Sequence, residues 1–203
     1  SQRGSFGDIA ASSFGGMVYY TSPDRSSLLE QLQNQSIKAI CDADWKDLTI
    51  ERLPEIPDFT LLVGWTGQVA ITDSLIQATE KKRKVETDSA FYKEFLGKSH
   101  AIVQGLQSAW NNQDIPALQE GIRSNRALLN EFAQVMQLEI ETPALQTLCD
   151  LAEQNGACAK TSGAGGGDCG ICFTQNETQR QQIETQWAKA QIQVLPLSIA
   201  EAW

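Results

Sequence analysis

Residues 160–168, which read KTSGAGGGD, are the densest concentration of potential chemistry in this sequence. Four of the five positions from Gly163 to Gly167 are glycine, an arrangement costly in chain entropy unless something requires it. Glycine at this density lets successive backbone N–H groups converge on an anion with no Cβ in the way. It is not a Walker A loop, because no Lys-Ser or Lys-Thr follows the glycines. Gly165, Gly167 and Gly170 match the dinucleotide pattern literally, but a strand follows where a helix should open, so that match carries no weight. Two glycines would satisfy a tight hairpin, and the surplus points to contact with a ligand or phosphate. A second segment, GSFGDIAASSFGG at residues 4–16, sets Asp8 between a glycine-bearing turn and a run of small residues suited to a helix start. From local sequence Asp8 reads equally as a helix N-cap or as a carboxylate placed for chemistry.

The elements around these segments follow from periodicity. Residues 15–21 and 36–41 are short β-prone runs separated by a helix over 25–33, and 45–53 alternates loosely as a further strand. Residues 58–64 are compact and apolar after two prolines, which predicts a central strand. The period then changes. Tyr92, Phe95, Leu96, Ser99, Ile102, Val103, Leu106, Ala109 and Trp110 fall at three-four spacing and make one stripe on a helix. Asp114 is the expected N-cap of the next helix, with Pro116 just inside it. That helix is expected to bury Leu118, Ile122, Leu129, Phe132, Ala133 and Met136. A third helix covers 142–155, and the short connections imply antiparallel neighbours. The tail returns to strand at 158–162, loop at 163–167, strand at 168–174, helix at 177–190 and strand at 192–197. An α+β arrangement follows, an antiparallel sheet with helices on one face. Trp65, after an apolar strand, reads as core.

Composition narrows the partners. The 203 residues carry 16 Lys and Arg against 25 Asp and Glu, a formal net charge of −9. That balance argues against nucleic-acid binding, which needs a basic face, while leaving room for a small phosphorylated ligand. No apolar run approaches the ~18 residues of a membrane span, and no secretory signal opens the chain. The first residue is not Met, as expected of a chain beginning inside a larger product. Five cysteines, an odd number, do not form a disulfide framework. Cys41, Cys149 and Cys158 read as buried free thiols. Cys169 and Cys172 sit three apart on a strand and so face opposite ways, which excludes a shared metal. A reduced, cytoplasmic protein is the expectation.

The two motifs in order, GSFGDIAAS followed by KTSGAGGGD, resemble the GHMP kinase family of small-molecule kinases, which includes galactokinase, homoserine kinase and mevalonate kinase. Together with LLVGWTG at 61–67 and SGAGGGDCG at 162–170, they look like the branch of that family acting on 5-phosphomevalonate. The resemblance spans essentially the whole chain. It implies that residues 1–56 are a remnant of the N-terminal S5-like domain carrying the Asp8 motif. Residues 57–203 would be the C-terminal domain, with a ferredoxin-like antiparallel sheet and helices on one face. By position, Asp8 matches the family's catalytic aspartate, and Ser162, Gly163, Ala164, Gly165, Gly166 and Gly167 match its glycine loop. Ser5 and Thr66 match polar positions facing substrate. Lys160 and Arg3 are the cations expected near the phosphates, whereas residues 81–84, KKRK, read as the solvated end of a helix starting near Asp73. The implied reaction is phosphoryl transfer from ATP, with Mg2+, to 5-phosphomevalonate. Mevalonate kinase or diphosphomevalonate decarboxylase activity and a non-catalytic binding module are the alternatives. The family's early-strand lysine and its nucleotide-wrapping glycine-serine loop have no counterpart in this sequence. The isolated chain is therefore expected to be inactive, to need the N-terminal segment of the same enzyme, and to expose an apolar patch that invites self-association.

Overall fold

The computed structural model describes residues 5–67, 90–163 and 165–200. The chain divides into two compact units, residues 1–55 with 199–203, and residues 56–198. The last residues join the first unit because the Gly16 amide donates to the Ala200 carbonyl at 2.9 Å.

In the first unit, helix α1 (Gly7–Phe14) leads into strand β1 (Met17–Thr21), helices α2 (Arg25–Asn34) and α3 (Ile37–Cys41), and strand β2 (Thr49–Leu53). β1 and β2 form a two-stranded antiparallel sheet, with Met17 opposite Leu53 and Thr21 opposite Thr49. Helix α2 starts where the Asp24 carboxylate accepts from the Ser26 and Ser27 amides, an N-cap that also pairs with Lys46 at 2.9 Å. Residues 36–41, expected as strand, are helical instead. The Ser36 hydroxyl caps them by accepting from the Ala39 amide at 3.2 Å, which leaves Ile37 exposed, Ile40 buried and Cys41 exposed. An apolar cleft of about 420 Å³ opens in this unit, walled by Phe6, Ile9, Phe14, Tyr20, Leu28 and Trp45 among others.

The second unit is built on a four-stranded antiparallel sheet ordered β4-β5-β3-β6. Its strands are β3 (Thr60–Trp65), β4 (Cys158–Thr161), β5 (Cys169–Thr174) and β6 (Gln193–Leu195), so the expected central strand is indeed interior. Helices α4 (Ala90–Asn111) and α5 (Ile115–Met136) form a hairpin, and α6 (Pro143–Gln154) and α7 (Glu177–Lys189) lie on the sheet. Asp114 caps α5 as expected, its side chain accepting from the Ala117 amide. The stripe of α5 is rotated slightly from expectation: Leu128 rather than Leu129 is buried.

The core lies between the sheet and α6 and α7. Leu62, Cys172 and Ala159 stand in one row across three strands, and Leu148, Cys149, Ile183 and Trp187 pack on them. Each large side chain buried there contributes about 1.5–3 kcal/mol. Gly64 and Gly170 are directly opposite in the ladder, and a Cβ on either would come within 2.9 Å of Leu148 side-chain atoms. The paired glycines form a depression that receives Leu148, while the Trp187 indole N–H donates to the Leu148 carbonyl at 3.0 Å. The outer strand β4 is finished by side chains. Ser162 bonds directly across to Cys169, so the alternation of the ladder turns the Ala157 and Thr161 carbonyls away from β5. Arg123 of α5 donates to the first, and Lys160 to the second.

Cys149, Cys158 and Cys172 are buried free thiols and Cys169 is half-buried. Burial pushes the Cys149 thiol up to about 12 and Cys158 to about 11, so neither is a nucleophile at neutral pH. Among the described residues no cluster of three or more side chains could hold a metal, and no helix is long and apolar enough to cross a membrane.

Candidate active site

Loop 162–168 leaves β4 after Thr161 and re-enters the sheet at Cys169, and both of its ends are rungs of the ladder. The Ser162 amide donates to the Cys169 carbonyl at 3.0 Å. On the other side, the Thr66 amide and hydroxyl both donate to the Asp168 carbonyl at 2.9 Å, one rung beyond the end of β3. Between these anchors the backbone is left-handed for four consecutive residues, with φ of 78° at Gly165, 80° at Gly166, 124° at Gly167 and 63° at Asp168. The middle of the loop is held from behind, where the Gly166 amide donates to the Ile140 carbonyl at 2.8 Å. A Cβ on Gly165 would collide with that same carbonyl.

Packing thus requires glycine at 165, and φ favours it at 166 and 167. Neither requires it at 163, where an added Cβ would meet nothing within 4 Å. Gly163 is exposed, and its bareness is of use only to something approaching from solvent. The amides of Ser162 and Gly166 hold the loop in place. Those of Gly163, Gly165, Gly167 and Asp168 have no acceptor among the described residues. Unpaired main-chain donors on one glycine turn are groups from which an anion-binding concavity can be built. Just before the loop, the hydroxyl of Thr161, a residue only 3% exposed, lacks a hydrogen-bond partner among the described residues. The residues present therefore fit a phosphate group. Ala164 lies outside the described residues.

Lys160 lies beside the loop, and its ammonium donates to the Thr161 carbonyl at 2.6 Å. Loss of solvent pulls its pKa below the usual lysine value. It faces no carboxylate at ion-pair distance among the described residues. Thr66, expected to face substrate, has its hydroxyl proton on the Asp168 carbonyl. Sequence reasoning quoted Asp168 without giving it a role. Its exposed carboxylate sits at the loop exit, and the one signal for it was an acidic residue directly after three glycines.

In the first unit, Asp8 is exposed in the first turn of α1 and has no hydrogen-bond or ion-pair partner among the described residues. The N-cap reading of Asp8 is corrected. Phe6 holds the cap position at φ 64° and supplies no side-chain cap. A free carboxylate in that first turn is favoured by the helix dipole and remains available for chemistry. Ser5 shapes the approach: its hydroxyl accepts from the Gly7 amide at 3.4 Å and its carbonyl from the Tyr20 hydroxyl at 2.6 Å. The Arg25 guanidinium lies 5.3 Å over the Phe6 ring. Arg3 and residues 68–89, with the 81–84 run and the helix expected near Asp73, lie outside the described residues.

A glycine loop between antiparallel strands, a sheet backed by helices and a separate unit bearing an exposed aspartate together define a class. Residues 103–193 match the family model of the GHMP kinases C terminal, and that segment is similar to the C-terminal part of the GHMP kinase family. Within it, the chain is 36% identical over 200 residues to the phosphomevalonate kinase of Streptomyces sp. (strain CL190), covering 98% of this chain and 53% of that protein. A Listeria innocua protein of known structure superposes with a TM-score of 0.92 at 33% identity, over 98% of this chain and 56% of its own. Streptococcus pneumoniae phosphomevalonate kinase, solved in complex with phosphomevalonate and AMPPNP, gives a TM-score of 0.80 at 28% identity, over 95% of this chain and 54% of its own. The chain spans about half the length of the relatives it matches.

Proposed function

We propose that this chain is the C-terminal half of an ATP-dependent kinase that phosphorylates 5-phosphomevalonate to 5-diphosphomevalonate in the mevalonate route to isoprenoids. The carrying observation is the glycine loop: the Ser162 and Gly166 amides are spent on anchoring it, those of Gly163, Gly165 and Gly167 have no acceptor among the described residues, and an added Cβ at Gly163 meets nothing within 4 Å. The likeness to phosphomevalonate kinases supports the choice of acceptor.

The attacking oxygen belongs to a phosphate whose second pKa is about 6, so it is ionised near neutral pH without a strong base. What the protein has to supply is alignment and neutralisation of charge in a loose transition state. The free amides of Gly163, Gly165 and Gly167 bind and orient a phosphoryl group, with Ser162 at the rim and the Lys160 ammonium offsetting its charge. Asp8 acts as an orienting carboxylate rather than chiefly as a proton acceptor, and its exposed position suits it to a hydrated cation. Mg2+, when bound, supplies charge neutralisation between the phosphates. Ser5 positions the turn before Asp8, and Thr66 fixes the loop exit through the Asp168 carbonyl. The nucleotide-wrapping loop is supplied by the N-terminal segment of the same enzyme. Five free cysteines suit a reducing cytoplasm.

ADP release with Mg-ATP and phosphomevalonate tests this in the full-length protein, with mevalonate as the control acceptor. The expected result is turnover that needs the phosphorylated acceptor. Turnover with mevalonate instead would move the assignment to a sister activity. Because the chain spans about half of its relatives, a binding module without turnover is the second reading. Phosphomevalonate binding with no ADP release from the full-length protein would establish it.

A further inference from the structure

Behind the glycine loop lies an ion cluster centred on Arg126 of α5, to which neither the motifs nor the proposed chemistry gives a role. The Arg126 side chain is 12% exposed and Glu141 7%. Arg126 grips Glu141 with two parallel bonds, Nε to Oε2 at 2.9 Å and Nη2 to Oε1 at 2.6 Å, and Asn130 adds a third donor at 3.1 Å. The same guanidinium reaches two acids of α6, Asp150 at 2.7 Å and Glu153 at 2.8 Å. One cation thus faces three carboxylates, but they are not equivalent. Asp150 and Glu153 lie within a helix and are 45% and 33% exposed. Glu141 is buried in the connection between α5 and α6.

That connection touches the loop. Ile140, the residue before Glu141, supplies the carbonyl that accepts from Gly166 and against which Gly165 packs. Thr142, the residue after, is the N-cap of α6, its hydroxyl accepting from the Leu145 amide. Three consecutive residues therefore join three things: the back of the glycine loop, the Arg126 fork and the start of a core helix. A fork-to-carboxylate pair fixes orientation as well as distance, so it sets the direction of the Ile140–Glu141 peptide and hence of the carbonyl holding Gly166.

We propose that Arg126 and Glu141 are positioning residues for the glycine loop, a strut that holds the Ile140 carbonyl where it presets the free amides for a phosphate. This rests on the reading of the loop as the phosphate site. Asp150 and Glu153 share the guanidinium but not the strut, so within one cluster the loop effect belongs to Glu141 alone.

The test compares Glu141→Gln with Asp150→Asn in the full chain. Amide exchange at Gly166 is read by NMR against that of core amides such as Leu148, and phosphomevalonate binding is titrated in parallel. Glu141→Gln should speed Gly166 exchange relative to the core by about tenfold or more and weaken binding by about tenfold. Asp150→Asn should change each by less than about twofold. Should Glu141→Gln fail to fold, Arg126→Lys, which keeps the charge but loses the fork, takes its place with the same expectation. Equal Gly166 exchange in the Glu141 (or Arg126) variant and in Asp150→Asn would overturn the proposal and leave the cluster a stability element. Absence of phosphomevalonate binding by the unsubstituted protein would instead sink the phosphate reading, while Gly166 exchange would still decide the strut.

Discussion

The two motif-bearing segments are supported in contrasting ways. The glycine loop is tied at both ends into a four-stranded sheet, pinned at its middle to Ile140, and stands over a core in which Leu148, Ile183 and Trp187 are fully buried. The Asp8 segment begins an eight-residue helix with no side-chain cap, beside a sheet of two strands, and Ala10 is its one buried residue. A two-stranded sheet is marginal by itself. The loop therefore carries its geometry within its own unit, whereas the aspartate, with no partner among the described residues, stands on a light framework. Substitutions should separate accordingly: at Asp8 they cost function without stability, and in the loop they cost one or both depending on which atom is touched.

The largest effect is expected from Asp8→Asn, a fall in kcat of about 100-fold or more in the full-length protein, with Tm unchanged because the carboxylate has no partner to lose among the described residues. A large drop in Tm would break the comparison by making Asp8 structural. Gly165→Ala comes next. The left-handed φ and the collision with the Ile140 carbonyl should cost about 2–4 kcal/mol, seen as a lower denaturation midpoint together with lost phosphate binding. Gly163→Ala is the counterpart in the same loop: Tm should hold, since a Cβ there meets nothing, while binding weakens by about tenfold. Equal effects at 163 and 165 would erase the distinction between bare and packed glycines.

The smallest effect concerns Lys160. Burial lowers its pKa in the folded state, so the unfolded chain binds the proton more readily and stability rises with pH between the folded value and the ordinary value of 10.5. Lys160→Met should be the more stable protein at neutral pH, with its advantage shrinking toward pH 10.5, while binding phosphate less well. Urea midpoints across that range, set beside binding titrations, check both halves. A variant less stable at neutral pH would show that the bond to Thr161 outweighs the desolvated charge.

The loop was readable in the sequence because glycine surplus is a local property, and helices α4 to α7 were readable because their stripes or caps are local too. Asp8 was half readable. Its place at a helix start was evident, but nothing in the string says that Phe6 would take the left-handed cap position. Residues 36–41 misled because Ile37 and Ile40 look β-prone until the Ser36 hydroxyl is seen to cap a turn. The strut was not readable. It joins Arg126 to Glu141, 15 positions away, and Ile140 to Gly166 through a main-chain carbonyl, an atom that every residue possesses.

The finished outer strand bears on how this protein meets copies of itself. Carbonyls that point away from a sheet invite another chain to extend it, and on β4 Arg123 and Lys160 already occupy the two at its ends. At those two positions of the β4 edge a recruited strand would meet a cation in place of a free carbonyl. In the proposed reading, the Lys160 that meets phosphate also shields one carbonyl of this edge from a neighbouring strand.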